Sequence, residues 1–377
     1  MMNRIARRFA FHQLVHWAAV GVMVPVMTLV LRELGLSLLE IGFALAAYSL
    51  TTLVLEVPSG ALSDLWGRRR TYTLGAAADL GSSLLILVAP SPAIAIVAFA
   101  LRGAGRAFVS GSLDALAIET LRRESPDYDL QMFFSRVGMA VPAGLAITSL
   151  AGGFLPELAG LPPLRPLAGW SPAAGFSVNL LANLVLVGIA AALAWLLFDE
   201  APRTATESSG ARAVFAQVLS SVRFGIRTRG LNLLLLSAAA VGLVLLSVET
   251  FWQPRLDQII RSDDVRLFGF LGSGYFAVAV LGNAASPLLV RVFGGNRAVG
   301  AIVARLASAA ALAVLATQTT AAGFGALYLV FFLFFAGATP AQAAMLNELV
   351  PDERRSTLLS VNSLVLQAGG FTGSLLF

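Results

Sequence analysis

The chain has 377 residues, of which 57% are hydrophobic and only 12% charged, where a soluble globular domain carries about a quarter charged residues. That composition excludes a water-soluble fold and places the protein in a bilayer. Its formal net charge of +5 comes from arginine alone among the cations, and the absence of cysteine excludes disulfides and thiolate metal sites.

From the N-terminus, MMNRIARRFAFHQLVHWAAVGVMVPVMTLVL has a basic start, a long apolar run and no small-residue cleavage site. It reads as a retained first span, not a signal peptide. Apolar runs of spanning length follow, giving segments at about 11–31, 41–63, 71–90, 92–119, 131–155, 173–198, 230–253, 267–290, 298–317, 322–346 and 356–377, eleven in all. A span needs about 20 residues at 1.5 Å rise, and uniform rather than alternating apolarity predicts helices. With the N-terminus in the cytoplasm, eighteen arginines fall on the cytoplasmic side and five on the other, with Arg102, Arg106 and Arg305 inside spans. The positive-inside rule therefore predicts a multi-pass protein of the cell (inner) membrane with a cytoplasmic N-terminus, and the positive charge is topological and no footprint of nucleic acid.

Three units are expected: residues 1–198 with six spans, a cytoplasmic linker at 199–229, and residues 230–377 with five spans and a twelfth apparently missing. The linker begins as a polar tether, DEAPRTATESSGAR. It continues with Val214, Val218, Val222 and Ile226 at four-residue spacing, which predicts a short interfacial helix. The halves echo each other weakly. Trp66-Gly67 with Arg70 recurs as Phe293-Gly294 with Arg297, an offset of 293 − 66 = 227, and Pro126-Asp127 recurs as Pro351-Asp352, an offset of 225. Duplicated halves are a transporter signature, because two similar bundles can rock about a site between them.

Between the second and third spans lies EVPSGALSDLWGRRRTYTLGA, with Asp64 and three consecutive arginines set among glycines. Its core, Gly60-Ala-Leu-Ser-Asp64-Leu-Trp-Gly67-Arg68-Arg69-Arg70, resembles the G-x-L-x-D-x-x-G-R-R/K loop of the major facilitator superfamily, in the position where that family carries it. The resemblance implies an all-α polytopic fold of two six-helix bundles related by a pseudo-two-fold axis, a central cavity and alternating-access transport. It further implies that Gly60 and Gly67 permit close approach, that Asp64 sits at the N-terminal end of span eleven, and that Arg68, beside Arg69, pairs with Glu119 to latch the cytoplasmic side. The second-half copy has Arg291 in place of Asp64, so one side of the latch is expected to be intact. Span five reads Gly138-Met-Ala-Val-Pro142-Ala-Gly144 and departs from the G-P-x-x-G-G pattern of the family's exporters.

Charges within spans need a partner or a wet cavity. Arg102, Arg106, Ser110 and Asp114 follow at four-residue intervals and predict a polar ribbon on span four, the first candidate for substrate or proton handling, with Glu56 and Glu249 as further candidates. Pairing of Arg102 and Arg106 with Glu56 or Asp114 to hold helices together is the competing reading. Asp79, on an outer-ring span, is expected to make an inward structural contact. His12 and His16 have metal-like spacing but no nearby carboxylate, which favours an interfacial polar pair over a metal site. No reactive constellation of a membrane enzyme is present in the sequence. The expected function is secondary active transport without a cofactor by a monomer, exporting a small lipophilic molecule or drug in exchange for protons. Import of a small polar nutrient, or a transporter-like membrane sensor, is the alternative.

Overall fold

The computed structural model describes all residues except 1–3, 89–90, 111, 126–129, 161–173, 201–219, 221, 261–264, 351–354 and 377. The described residues are almost wholly helical: α1 (Arg4–Gly21), α2 (Met27–Glu33), α3 (Leu38–Trp66), α4 (Arg68–Val88), α5 (Pro92–Val109), α6 (Ser112–Glu124), α7 (Leu130–Leu158), α8 (Ser177–Leu197), α9 (Leu231–Ile260), α10 (Arg266–Val292), α11 (Arg297–Ala316), α12 (Ala321–Gly337), α13 (Thr339–Leu349) and α14 (Arg355–Leu376). Among them, nine stretches are long and apolar enough to cross a membrane. Of the eleven expected spans, the first and the eleventh are not among these nine: the first is broken into α1 and α2 at residues 22–26, around Pro25, and the eleventh corresponds to α14.

Local chemistry sets several helix starts. Ser37 and Glu40 form a reciprocal capping box at α3, Ser91 caps α5, and Asn296 caps α11 by accepting from the backbone N–H groups of Ala298 and Val299. The helices of spans four and ten are each interrupted at one point. Span four passes from α5 to α6 after Ser110 and span ten from α12 to α13 at Ala338, an offset of 338 − 110 = 228, so the duplication is visible in the backbone.

The two halves meet along α7 against α10 and along α3 against α14. Within the second half, α9 and α14 pack through glycines: a Cβ on Gly242 would collide with the Leu366 carbonyl, and one on Gly369 with that of Ala239. Lipid tails offer no hydrophobic drive between helices, so such small-residue contacts supply close van der Waals packing. Contacts between halves gather at the end of the bundle opposite the 67–70 turn. There Gly153 lies against Gly269, Gly42 against Ser374, and Arg266 forms an ion pair with Glu157 at 3.1 Å. Of the linker, residues 222–227 are helical, with Val222 and Phe224 on a core of Leu231, Leu235, Leu346, Leu358 and Val361 and with Ile226 exposed; Val214 and Val218 lie outside the described residues.

Candidate functional site

Between the halves lies a cavity of about 450 Å³, inside the range of about 300–1,000 Å³ typical of small-molecule sites. The first half contributes α1, α2 and their broken junction, with α3, α4, α5 and α7; the second half contributes α9, α10 and α12. Aromatic rings dominate the second-half wall, where Trp252 lies 5.0 Å from Tyr328 and Tyr275 lies 3.9 Å from Phe332, centroid to centroid. Trp17, Tyr48 and Phe99 face the cavity from the first half.

Four charged side chains reach this space: Asp79, Arg102, Arg106 and Glu249. Arg102 donates from Nε to Asp79 Oδ1 at 2.8 Å, with side-chain exposures of 14% and 22%. Asp79 therefore supplies the partner that the sequence spacing assigned to Glu56 or Asp114, because close packing of α4 on α5 at Gly75 and Gly105 brings its carboxylate alongside. Arg106 makes no hydrogen bond or ion pair among the described residues and lies over the Trp17 ring, 5.7 Å from its centroid. Glu249, a candidate from the sequence, lines the cavity, where Tyr275 donates to its Oε1 at 3.4 Å.

The expected polar ribbon is divided. Beyond the interruption at Ser110, Asp114 faces a second recess of about 280 Å³, shared with Arg106, His12, His16, Gln13 and Tyr72. His12 is buried and its Nε2 donates to the Ala190 carbonyl at 3.2 Å. His16 Nδ1 and the Tyr72 hydroxyl are 3.1 Å apart. The two histidines thus sit inside the first bundle, not at an interface, and no group of three or more potential metal ligands occurs among the described residues. Glu56 forms no ion pair with either arginine among the described residues and accepts from the Ser363 hydroxyl across the halves at 3.3 Å.

At the arginine-rich end, Gly67 joins α3 to α4 with a φ of +101°, a conformation open to glycine but strained for side-chain-bearing residues. Arg68 donates to Glu119 through Nη2 at 2.6 Å and Nε at 3.3 Å. A carboxylate that the sequence reading missed, Glu200, accepts from the backbone N–H groups of Arg68 and Arg69 at 2.7 and 3.2 Å, where the unsatisfied donors of α4 favour an anion. Arg69 donates to the Phe198 carbonyl at 2.8 Å and stacks on Trp195 at 4.4 Å. An added Cβ at Gly60 meets nothing within 4 Å among the described residues, so the close approach expected there is absent. The Asp64 side chain lies outside the description, although its backbone is within α3.

The second half carries its own arginine pair: Arg297 bonds Glu348. Both pairs span 51 residues, and both members are displaced by 297 − 68 = 348 − 119 = 229. The second half thus has an arginine–carboxylate pair of its own, which the 227-residue register had hidden by matching Arg297 to Arg70 instead of Arg68, while its counterpart of Asp64 still has no carboxylate. Exchanging the partners in Arg68→Glu/Glu119→Arg should restore what Arg68→Glu alone removes. Thermal stability should fall by less than about 1 kcal/mol, since Glu119 is 53% exposed, while the distribution between open and closed states shifts. Double electron–electron resonance across the arginine-rich end reads this, and unchanged distances in the single variant would count against a latch.

Comparison with known proteins follows the same lines. The family model for the Major Facilitator Superfamily matches residues 9–374. A probable actinorhodin transporter of Streptomyces coelicolor is 29% identical over 157 residues, covering 37% of this chain and 26% of that protein. The quinolone resistance protein NorA of Staphylococcus aureus is 20% identical over 157 residues, covering 42% and 39%; the chain thus spans well under half the length of these curated relatives. Among solved structures, the nucleoside transporter NupG has a TM-score of 0.76 at 11% identity, covering 100% of this chain and 90% of that one. The D-xylose-proton symporter has a TM-score of 0.69 at 14% identity, covering 99% and 89%. This is a multi-pass membrane protein, and the chain belongs to the Major Facilitator Superfamily.

Proposed function

We propose that the protein is a secondary active transporter that works by alternating access and exports a small lipophilic molecule in exchange for protons. The observation that supports this most is the cavity itself: a space of about 450 Å³ between the halves, walled by aromatic and aliphatic side chains. Proton exchange needs a carboxyl group facing that space that can gain and lose its proton, and Glu249, whose partner among the described residues is the Tyr275 hydroxyl, suits the role better than Asp79, which is paired with Arg102. The positive-inside rule makes the arginine-rich end cytoplasmic. With the halves drawn together at the opposite end, the cavity is then open to the cytoplasm, where an exporter collects its cargo.

Purified protein in vesicles holding an entrapped pH dye tests the reading. Lipophilic aromatic compounds should elicit proton movement, and Glu249→Gln should abolish its dependence on the pH gradient. Movement elicited by nucleosides or pentoses, and by no lipophilic compound, would replace export with import of a polar nutrient.

A further inference from the structure

Among the described residues the cavity holds one cation, Arg106, whose guanidinium makes no hydrogen bond or ion pair. Of the carboxylates around it, Asp79 is bonded to Arg102, Glu249 to Tyr275 and Glu56 to Ser363, and none of the three bonds Arg106. Asp114 shares a recess with Arg106 and acts on it electrostatically, but forms no ion pair with it among the described residues. A guanidinium stays charged in proteins, and one placed at membrane depth with its donors unbonded is costly. The cost persists only where water or a ligand offsets it.

What surrounds Arg106 narrows the ligand. Its guanidinium lies over Trp17, and Trp17 is itself oriented by donating Nε1 to Gln13 Oε1 at 3.1 Å. Arg106 borders both the aromatic cavity and the polar recess beyond it, so a molecule in the cavity can keep its ring against the aromatic wall and turn a charged end toward the recess. We infer that the transported molecule is an amphipathic aromatic anion, a carboxylate or phenolate, whose charged oxygens are received by Arg106 while its ring lies against the wall of Trp252 and Tyr275. Guanidinium suits this because its planar fork bonds two oxygens of a carboxylate at once.

This inference rests on the proposal that the cavity is the substrate site, and the test separates the two. Binding of 1-naphthoate and of 1-naphthamide, nearly identical in shape but different in charge, is measured by isothermal titration on the full chain in nanodiscs. The acid should bind at least about tenfold more tightly than the amide, the size expected of one charge-assisted hydrogen-bonded contact. In Arg106→Gln the acid should fall to the level of the amide while the amide stays unchanged, and Arg106→Lys should retain an intermediate preference. Equal binding of both probes by the unaltered protein overturns the anion inference and leaves a lipophilic site standing; binding of neither overturns both. The comparison on the unaltered chain needs no variant to fold. A preference that survives Arg106→Gln assigns the charge recognition to another group and also overturns the inference.

Discussion

Asp79→Leu, with Arg102 left in place, is expected to destabilise the protein more than any other single change in the cavity. Removing one member of a buried ion pair costs about 3–5 kcal/mol, because the other charge is left without compensation. The lower end applies here, since the two side chains keep 14% and 22% exposure toward the cavity. The arginine cannot escape by losing its proton. Asp79→Leu/Arg102→Leu should recover most of the lost stability, because apolar replacement of a whole buried pair is often neutral or favourable. Thermal unfolding in detergent measures both variants. A single variant as stable as the unaltered protein would mean that Arg102 finds another anion and that the pair is dispensable to the fold. Flux adds a second reading: stability recovered without flux gives the pair a part in transport beyond holding α4 to α5.

The fold was legible because a bilayer leaves little choice. Backbone groups in hydrocarbon must bond within the segment, so twenty apolar residues become a helix whatever their order, and the glycine-arginine turn between Asp64 and Arg70 has the same place in this chain as in the family. The pairing of charges was legible only where it was local or already part of a motif, as for Arg68 with Glu119. Spacing along span four put Arg102, Arg106 and Asp114 on one ribbon, and Arg106 does share a recess with Asp114, but Arg102 faces the cavity and its partner comes from a neighbouring helix. Periodicity along one helix carries no information on which helix packs against it.

Two further misses have different causes. Glu200 is one acid in a polar tether, and nothing in the tether's composition distinguishes it; its role arises because chain reversal brings it to the exposed amides that start α4. Glu348 was hidden by a register error of two residues. Aligning on the Trp-Gly and Phe-Gly dipeptides gave 227, whereas the arginine pairs and the span-four and span-ten interruptions agree on 228 to 229. In the 229 register Asp64 corresponds to Phe293, so that position is still without a carboxylate in the second half.

The same register sets Pro25 against Pro254, yet only the first breaks its helix, and a side chain from the other half explains the difference. In an uninterrupted helix the Thr28 N–H would bond the Val24 carbonyl. Instead the carboxamide of Gln253, on α9, is inserted between them: its Oε1 accepts from the Thr28 N–H at 2.8 Å and its Nε2 donates to the Val24 carbonyl. The Thr28 hydroxyl adds a bond to the Thr250 carbonyl at 3.4 Å. One side chain thus satisfies two buried backbone groups of the opposite half, at the end where the halves converge. Gln253→Leu keeps the volume and removes both bonds, at about 1–3 kcal/mol for each backbone group left unsatisfied, reduced by whatever direct helical bonding returns. The cost falls on the closed arrangement alone, because parting of the halves exposes Val24 and Thr28 to water. A net change of about 2 kcal/mol would raise the population open at the arginine-poor end roughly 30-fold. The chain has no cysteine, so Leu246→Cys in the cavity wall is a single reporter, and its reaction with an impermeant maleimide added from that end should accelerate by at least about tenfold in Gln253→Leu. An unchanged rate would mean that the closed end is held by the glycine contacts of α7 with α10 and of α3 with α14, and that Gln253 only repairs the break in span one. Acceleration would make that break part of the gate, since a helix whose missing bonds are supplied by the other half is complete only while the halves touch.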